Sequence, residues 1–115
     1  MMNMMNIVKQ AQQFQKKMKD LQDELANTDV EVAAANGAVK VVYTGQAHFK
    51  SLKLEKIAIS PDAPESVSDD TLEMLEDLLN AALTEADKKA SDVMEEKTTA
   101  IAKGMNLPNI PGLNF

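Results

Sequence analysis

Residues 4–25 read MMNIVKQAQQFQKKMKDLQDEL, and their apolar positions decide how the rest of the chain is read. Met4, Ile7, Ala11, Phe14, Met18, Leu21 and Leu25 recur with gaps of 3, 4, 3, 4, 3, 4. That is a heptad seam held over three repeats, the spacing that lays one helix along another. Gln10, Gln12, Gln13, Gln15, Lys16 and Lys17 fill the positions between, all good helix formers, with no Gly or Pro in the run. The polar side is basic: Lys9, Lys16, Lys17 and Lys19 all precede the first acid, Asp20.

The sequence predicts a first helix from about Asn3 to Ala26, closed by Asn27-Thr28-Asp29. At ~1.5 Å per residue it spans roughly 36 Å. A compact domain of this size has a radius of gyration of about 13 Å, so the helix either crosses the molecule or projects from it. Val30, Val32 and Ala34 then alternate with Glu31 and Ala33, as in a strand. Asn36-Gly37 is a strong hairpin signal, because a type I′ turn needs positive φ at both central residues. Val39 to Thr44 is the return strand, and Gly45 to His48 a second turn. A third strand is expected from Phe49 to Ile59.

Ser60 to Ser66 is a loop by its prolines. Asp70-Thr71-Leu72-Glu73 reads as a capping box with Asp70 as N-cap. Leu72, Leu75, Leu79, Ala82 and Ala86 carry a second seam, widened by Leu78 and Leu83 and continued less regularly by Ala90, Val93, Met94 and Ile101. This helix is expected to reach Lys103, with Gly104 just past its end. Residues 105–115 hold Pro108, Pro111 and Gly112 without any period, and read as an extended or disordered tail. The expected fold class is α+β, an α-β-β-β-α chain in which two long helices flank a three-stranded antiparallel meander. The matching seams predict that the helices pair, and that a homodimer covers the sheet. The methionines at helical positions, Met4, Met18, Met74 and Met94, are expected to pack in those seams.

Composition narrows the function. The chain has 115 residues and a formal charge of −6, which argues against a generic nucleic-acid binder. The charge is uneven, however. Residues 1–19 hold four Lys and no acid, whereas residues 61–96 hold twelve acids against Lys88 and Lys89. All twelve cations are Lys. Without Arg to read guanine edges, any contact with DNA should run mainly through phosphates. There are no cysteines, which excludes disulfides and thiolate metal sites and fits a cytoplasmic protein. No apolar run approaches a membrane span. His48, the sole histidine, reads as a turn residue, since a lone His makes a poor metal site. The helical carboxylates Glu73, Glu76, Asp77 and Glu85 read as a solvated face. No nucleophile triad, P-loop or dinucleotide fingerprint is present, so neither an enzyme, a metal, a cofactor nor a small-molecule substrate is expected.

Several stretches together resemble the YbaB/EbfC family of bacterial nucleoid-associated proteins. They are Val8 to Met18, Asn36 to Val41 with Thr44-Gly45, Glu73 to Ala82, and Gly104 to Pro108 with the closing Phe115. The resemblance spans nearly the whole chain in order, with residues 1–104 as the DNA-binding domain. It implies a tweezer-like homodimer that binds double-stranded DNA and associates with the nucleoid, with no catalytic activity. Carried onto this sequence, the contact residues it implies are Lys9, Lys16 and Lys17, with Lys19 beside them, and Lys88-Lys89 in the second long helix. The other reading of the seams is a helical-hairpin module that holds a protein partner without binding DNA.

Overall fold

The computed structural model describes residues 3–105. In chain order these form α1 (Met4–Ala26), β1 (Asp29–Ala34), β2 (Val39–Thr44), β3 (Phe49–Leu54), a single turn α2 (Lys56–Ile59) and α3 (Asp69–Gly104). The strands make one antiparallel sheet in the order β1-β2-β3. This is the α+β meander with two long helices that the periodicities predict.

Local chemistry sets the boundaries. Asn3 caps α1, its side chain accepting from the Asn6 N–H at 3.0 Å. Asn36 (φ 57°) and Gly37 (φ 88°) take the positive φ values of a type I′ turn, closed by Ala38 N–H donating to Ala35 O at 3.1 Å. Ala35 also takes a positive φ of 52° and leaves the ladder, which ends one pair earlier at Ala34↔Val39.

Several boundaries differ from expectation. The third strand stops at Leu54 rather than Ile59, because β2 begins at Val39 and offers no partner beyond it. Glu55 N–H makes the last bond, to Ala38 O, and Ile57 to Ile59 turn into α2. The N-cap of α3 is Ser68, not Asp70; its hydroxyl accepts from the Thr71 N–H at 3.1 Å. Asp69 and Asp70 fall instead in the first turn, where they suit the helix dipole. Gly104 stays helical, and Met105 is the C-cap. The tail expected from residue 105 lies, but for Met105, outside the described residues.

The larger correction concerns packing. The chain measures 73 × 28 × 18 Å, and α1 projects rather than pairing along α3. The face that α3 lays against β3 is Leu72, Leu75, Glu76, Asn80 and Leu83, continued by Asp87 and Ser91 at the β2–β3 turn. Of the expected stripe, Leu72, Leu75 and Leu83 are half-buried on this face, whereas Leu79, Ala82 and Ala86 are exposed. Glu76, Asn80 and Asp87 take half-buried positions because they have partners. Asn80 bridges the open edge of β3, with Leu52 N–H donating to its Oδ1 (2.8 Å) and its Nδ2 donating to Leu52 O (2.9 Å). Glu76 accepts from Leu54 N–H at 2.8 Å, so it is not a solvated carboxylate. Asp87 meets His48.

The sheet has one apolar face. Strand register brings Val30, Val32 and Ala34 alongside Tyr43, Val41 and Val39, and these alongside Leu52 and Leu54. The α3 helix covers only the β3 side: Leu52 and Leu54 are half-buried, while Val32 remains 60% exposed. Ala38, Phe49 and Val67 are the only buried apolar residues among those described. Met4, Met74 and Met94 are exposed rather than packed in a seam.

Candidate nucleic-acid interface

The α1 helix positions the first lysine set. With about 100° between successive residues, Lys9, Lys16, Lys17 and Lys19 fall within an arc of roughly 160°, centred opposite the Met4–Leu25 seam. All four are exposed, and among the described residues none has a carboxylate within ion-pair distance. The seam side of the same helix turns toward α3 near its C-terminal end. There Met18, Leu21 and Leu25 line a cavity of about 470 Å³ with Gly45 to His48 and Met94. The lysine arc therefore faces away from α3.

The second lysine set is placed differently. On α3, Asp87 and Ser91 face the β2–β3 turn, so Lys88 points sideways and Lys89 roughly the opposite way. Lys89 pairs with Glu85 at 3.3 Å, both side chains well exposed. Such i,i+4 pairs contribute only tenths of a kcal/mol, so Lys89 can be released to another anion at little cost. Lys88 and Lys89 do not join the α1 arc in a single surface of one protomer.

Two other lysines are engaged. Lys50 bonds Asp29 bidentately at 2.8 and 3.0 Å across the sheet. Lys56 pairs with Asp69 at 2.7 Å, and this contact holds the Asp69 carboxyl below its ordinary range, by hydrogen bond first and by charge second. Lys40 and Lys53 stand opposite one another on the solvated sheet face.

Sequence reasoning missed the contacts of the β2–β3 turn. His48 donates Nδ1–H to Asp87 Oδ2 at 2.9 Å, since an ionised carboxylate only accepts. The Ser91 hydroxyl lies at 3.5 Å from the same nitrogen. Both partners meet one ring atom, so this is not a nucleophile relay, in which base and orienting acid occupy opposite nitrogens. The partners lie 39 and 43 residues away in sequence, and no local pattern signals them. Among the described residues no cluster of His, Asp or Glu is placed to hold a metal ion, and no helix is long and apolar enough to cross a membrane.

These features define a small α+β protein whose long helical arm carries an uncompensated row of lysines. The chain belongs to the YbaB/EbfC DNA-binding family, whose sequence profile matches residues 1–105. It is a DNA-binding family and not an enzyme family. The chain is 39% identical over its whole length to a nucleoid-associated protein of Nitrobacter winogradskyi, covering 99% of that protein. It is 40% identical to one of Acetivibrio thermocellus, over 96% of this chain and 89% of that protein. A nucleoid-associated protein of Clostridium acetobutylicum is 35% identical over 94% of this chain and 89% of its own length.

Proposed function

We propose that this protein is a nucleoid-associated homodimer that binds double-stranded DNA through phosphate contacts, with residues 1–104 as the working unit. Lys9, Lys16, Lys17 and Lys19 make the principal contacts, and Lys88 and Lys89 add to them. The observation that carries this reading is the lysine arc of α1, free of carboxylate partners among the described residues, on a helix that stands clear of the body. Lysines without arginine favour backbone contact over base-edge readout, which suits a protein that covers DNA broadly in the nucleoid.

Dimerisation is supported by how little one chain buries. It exposes 9131 Å², where a compact 12.6 kDa monomer exposes about 6200 Å². Part of that excess exceeds the ~800 Å² that each partner gives to a standard interface. The patch best suited is the apolar sheet face with Val30, Val32 and Tyr43, which carries no charged side chain at its centre. Size-exclusion chromatography with light scattering should give about twice 12.6 kDa, and a mass near 12.6 kDa refutes the dimer.

The DNA test is a shift titration with a duplex at several salt concentrations. Each neutralised phosphate adds about 0.9 to the log–log salt slope, so a Lys9/Lys16/Lys17→Ala variant should lose roughly 2.7 per chain. An unchanged slope and affinity in that variant would remove these residues from the interface. The exposed seam residues Ile7 and Phe14 favour one second reading, a helix that captures a protein partner. It predicts partner capture that salt barely weakens and no DNA shift at ~50 mM salt.

A further inference from the structure

The α1 arm is aimed by a bracket that the lysines do not belong to. The two long helices hardly touch, yet both are tied to the same four-residue turn between β2 and β3. On the α1 side, Gly45 N–H donates to Leu25 O (3.0 Å) and Thr28 O (2.8 Å). Gln46 Nε2 donates to Gln22 O (3.0 Å) and lies 3.1 Å from Gln22 Oε1. On the α3 side, His48 Nδ1–H donates to Asp87 Oδ2. Ala47 between them takes a positive φ of 65°, a conformation an alanine holds only when its surroundings enforce it. A Cβ on Gly45 would stand 2.9 Å from Leu25 O, so the helix end sits hard against the turn.

We infer that Gln46 and His48 are positioning residues for DNA binding, fixing the angle at which the α1 arm leaves the body. The inference rests on the reading of α1 as the DNA-contacting arm. The length of the arm gives the reason. Lys9 lies 17 residues from Ala26, so about 25 Å from the base of the helix. A 10° tilt at the base displaces Lys9 by roughly 4 Å, more than the ~3.4 Å by which successive phosphates of one strand advance along the duplex axis and enough to break an ammonium–phosphate contact. In a dimer both arms must meet one duplex, so the tilt of each decides whether the two rows of lysines fit together.

The chain has no cysteine, so labels can be placed at will. Spin labels at Gln10→Cys in α1 and Glu95→Cys in α3, in chains diluted with unlabelled protein, report the angle as a distance distribution. The wild-type background should give a narrow distribution. Gln46→Ala/His48→Ala should broaden it about twofold and weaken duplex binding roughly three- to tenfold. The salt slope should not change, because every lysine is retained. His48→Asn, which keeps a donor near the position of Nδ1, should restore part of both effects. Gln46→Ala alone deletes one half-buried amide, leaves the fold intact by circular dichroism, and should give an intermediate result. An unbroadened distribution in the double variant overturns the bracket, and so does broadening without loss of affinity. Failure of the underlying DNA reading is separate, since it appears as no shift with the unmutated protein.

Discussion

Replacing Asn80 by alanine tests the least expected feature of the fold, a side chain that stands in for a strand. The open edge of β3 would otherwise present Leu52 N–H and C=O to α3 without partners. The Asn80 amide meets both, at 2.8 and 2.9 Å, and a third bond from Nδ2 to Glu76 O (2.8 Å) holds it in place. A neutral hydrogen bond contributes about 0.5–1.5 kcal/mol net, and a polar group left unpaired in a buried site costs about 1–3 kcal/mol. Asn80 is half-buried, so water recovers part of that loss. The expected destabilisation is about 2–3 kcal/mol, or roughly 8–12 °C in Tm for a domain of this size. Asn80→Asp should do no better, because it keeps the acceptor for Leu52 N–H but sets a carboxylate against two carbonyls. Glu73→Ala, on the exposed side of α3, is the control and should move Tm little. Melts must be run at one protein concentration if folding is linked to dimerisation. A loss below about 0.5 kcal/mol in Asn80→Ala would show that the β3 edge does not depend on this amide.

Gly37→Ala should cost about 1 kcal/mol by chemical denaturation, because its φ of 88° is one that alanine adopts only under strain. The Lys56–Asp69 pair lowers the folded-state pKa of Asp69, so whatever stability it adds is present above the ordinary aspartate value. That stability is lost as pH falls through the lowered value. The Tm gap between wild type and Asp69→Asn should therefore be small at neutral pH and vanish on acidification below the folded pKa, and a gap that grows instead contradicts the sign.

The elements that local chemistry specifies were legible in the sequence. The α1 helix, the Asn36-Gly37 turn and the strand alternation each follow from a period or a conformational demand within a few residues. What failed depended on partners far along the chain. Leu79, Ala82 and Ala86 make a convincing stripe, yet α3 turns Asn80 and Asp87 inward, because β3 and His48 supply their hydrogen bonds while Leu72, Leu75 and Leu83 keep apolar burial on the same face. Ile57 and Ile59 look like strand residues, and only the starting point of β2 denies them a neighbour. For the candidate site, residue type and the facing of the lysines were readable from α1 alone. That Lys88 and Lys89 lie away from the α1 arc follows from which side of α3 meets the turn, and no periodicity reveals it.

The acids of α3 pose the remaining electrostatic question for a protein of net charge −6 that binds DNA. Met94 shares a cavity with Met18 and Leu21 on the seam side of α1, and Asp92, Glu95 and Glu96 stand roughly 100–160° around α3 from it, exposed. The lysine arc lies on the far side of α1 and the acids on the far side of α3, so roughly two helix diameters of 10–12 Å each separate them. The Debye length is about 8 Å at physiological salt and about 30 Å at 0.01 M. At physiological salt the acids should be screened from a duplex seated on the arc, and at low salt they should repel it. Asp92→Asn/Glu95→Gln/Glu96→Gln should then change duplex affinity less than about twofold at ~150 mM salt and raise it several-fold at ~10 mM. The wild-type plot of log affinity against log salt should flatten at its low-salt end, and that of the variant should stay straight. A tenfold gain for the variant at ~150 mM would place these acids at the DNA surface and refute the outward facing of the lysine arc.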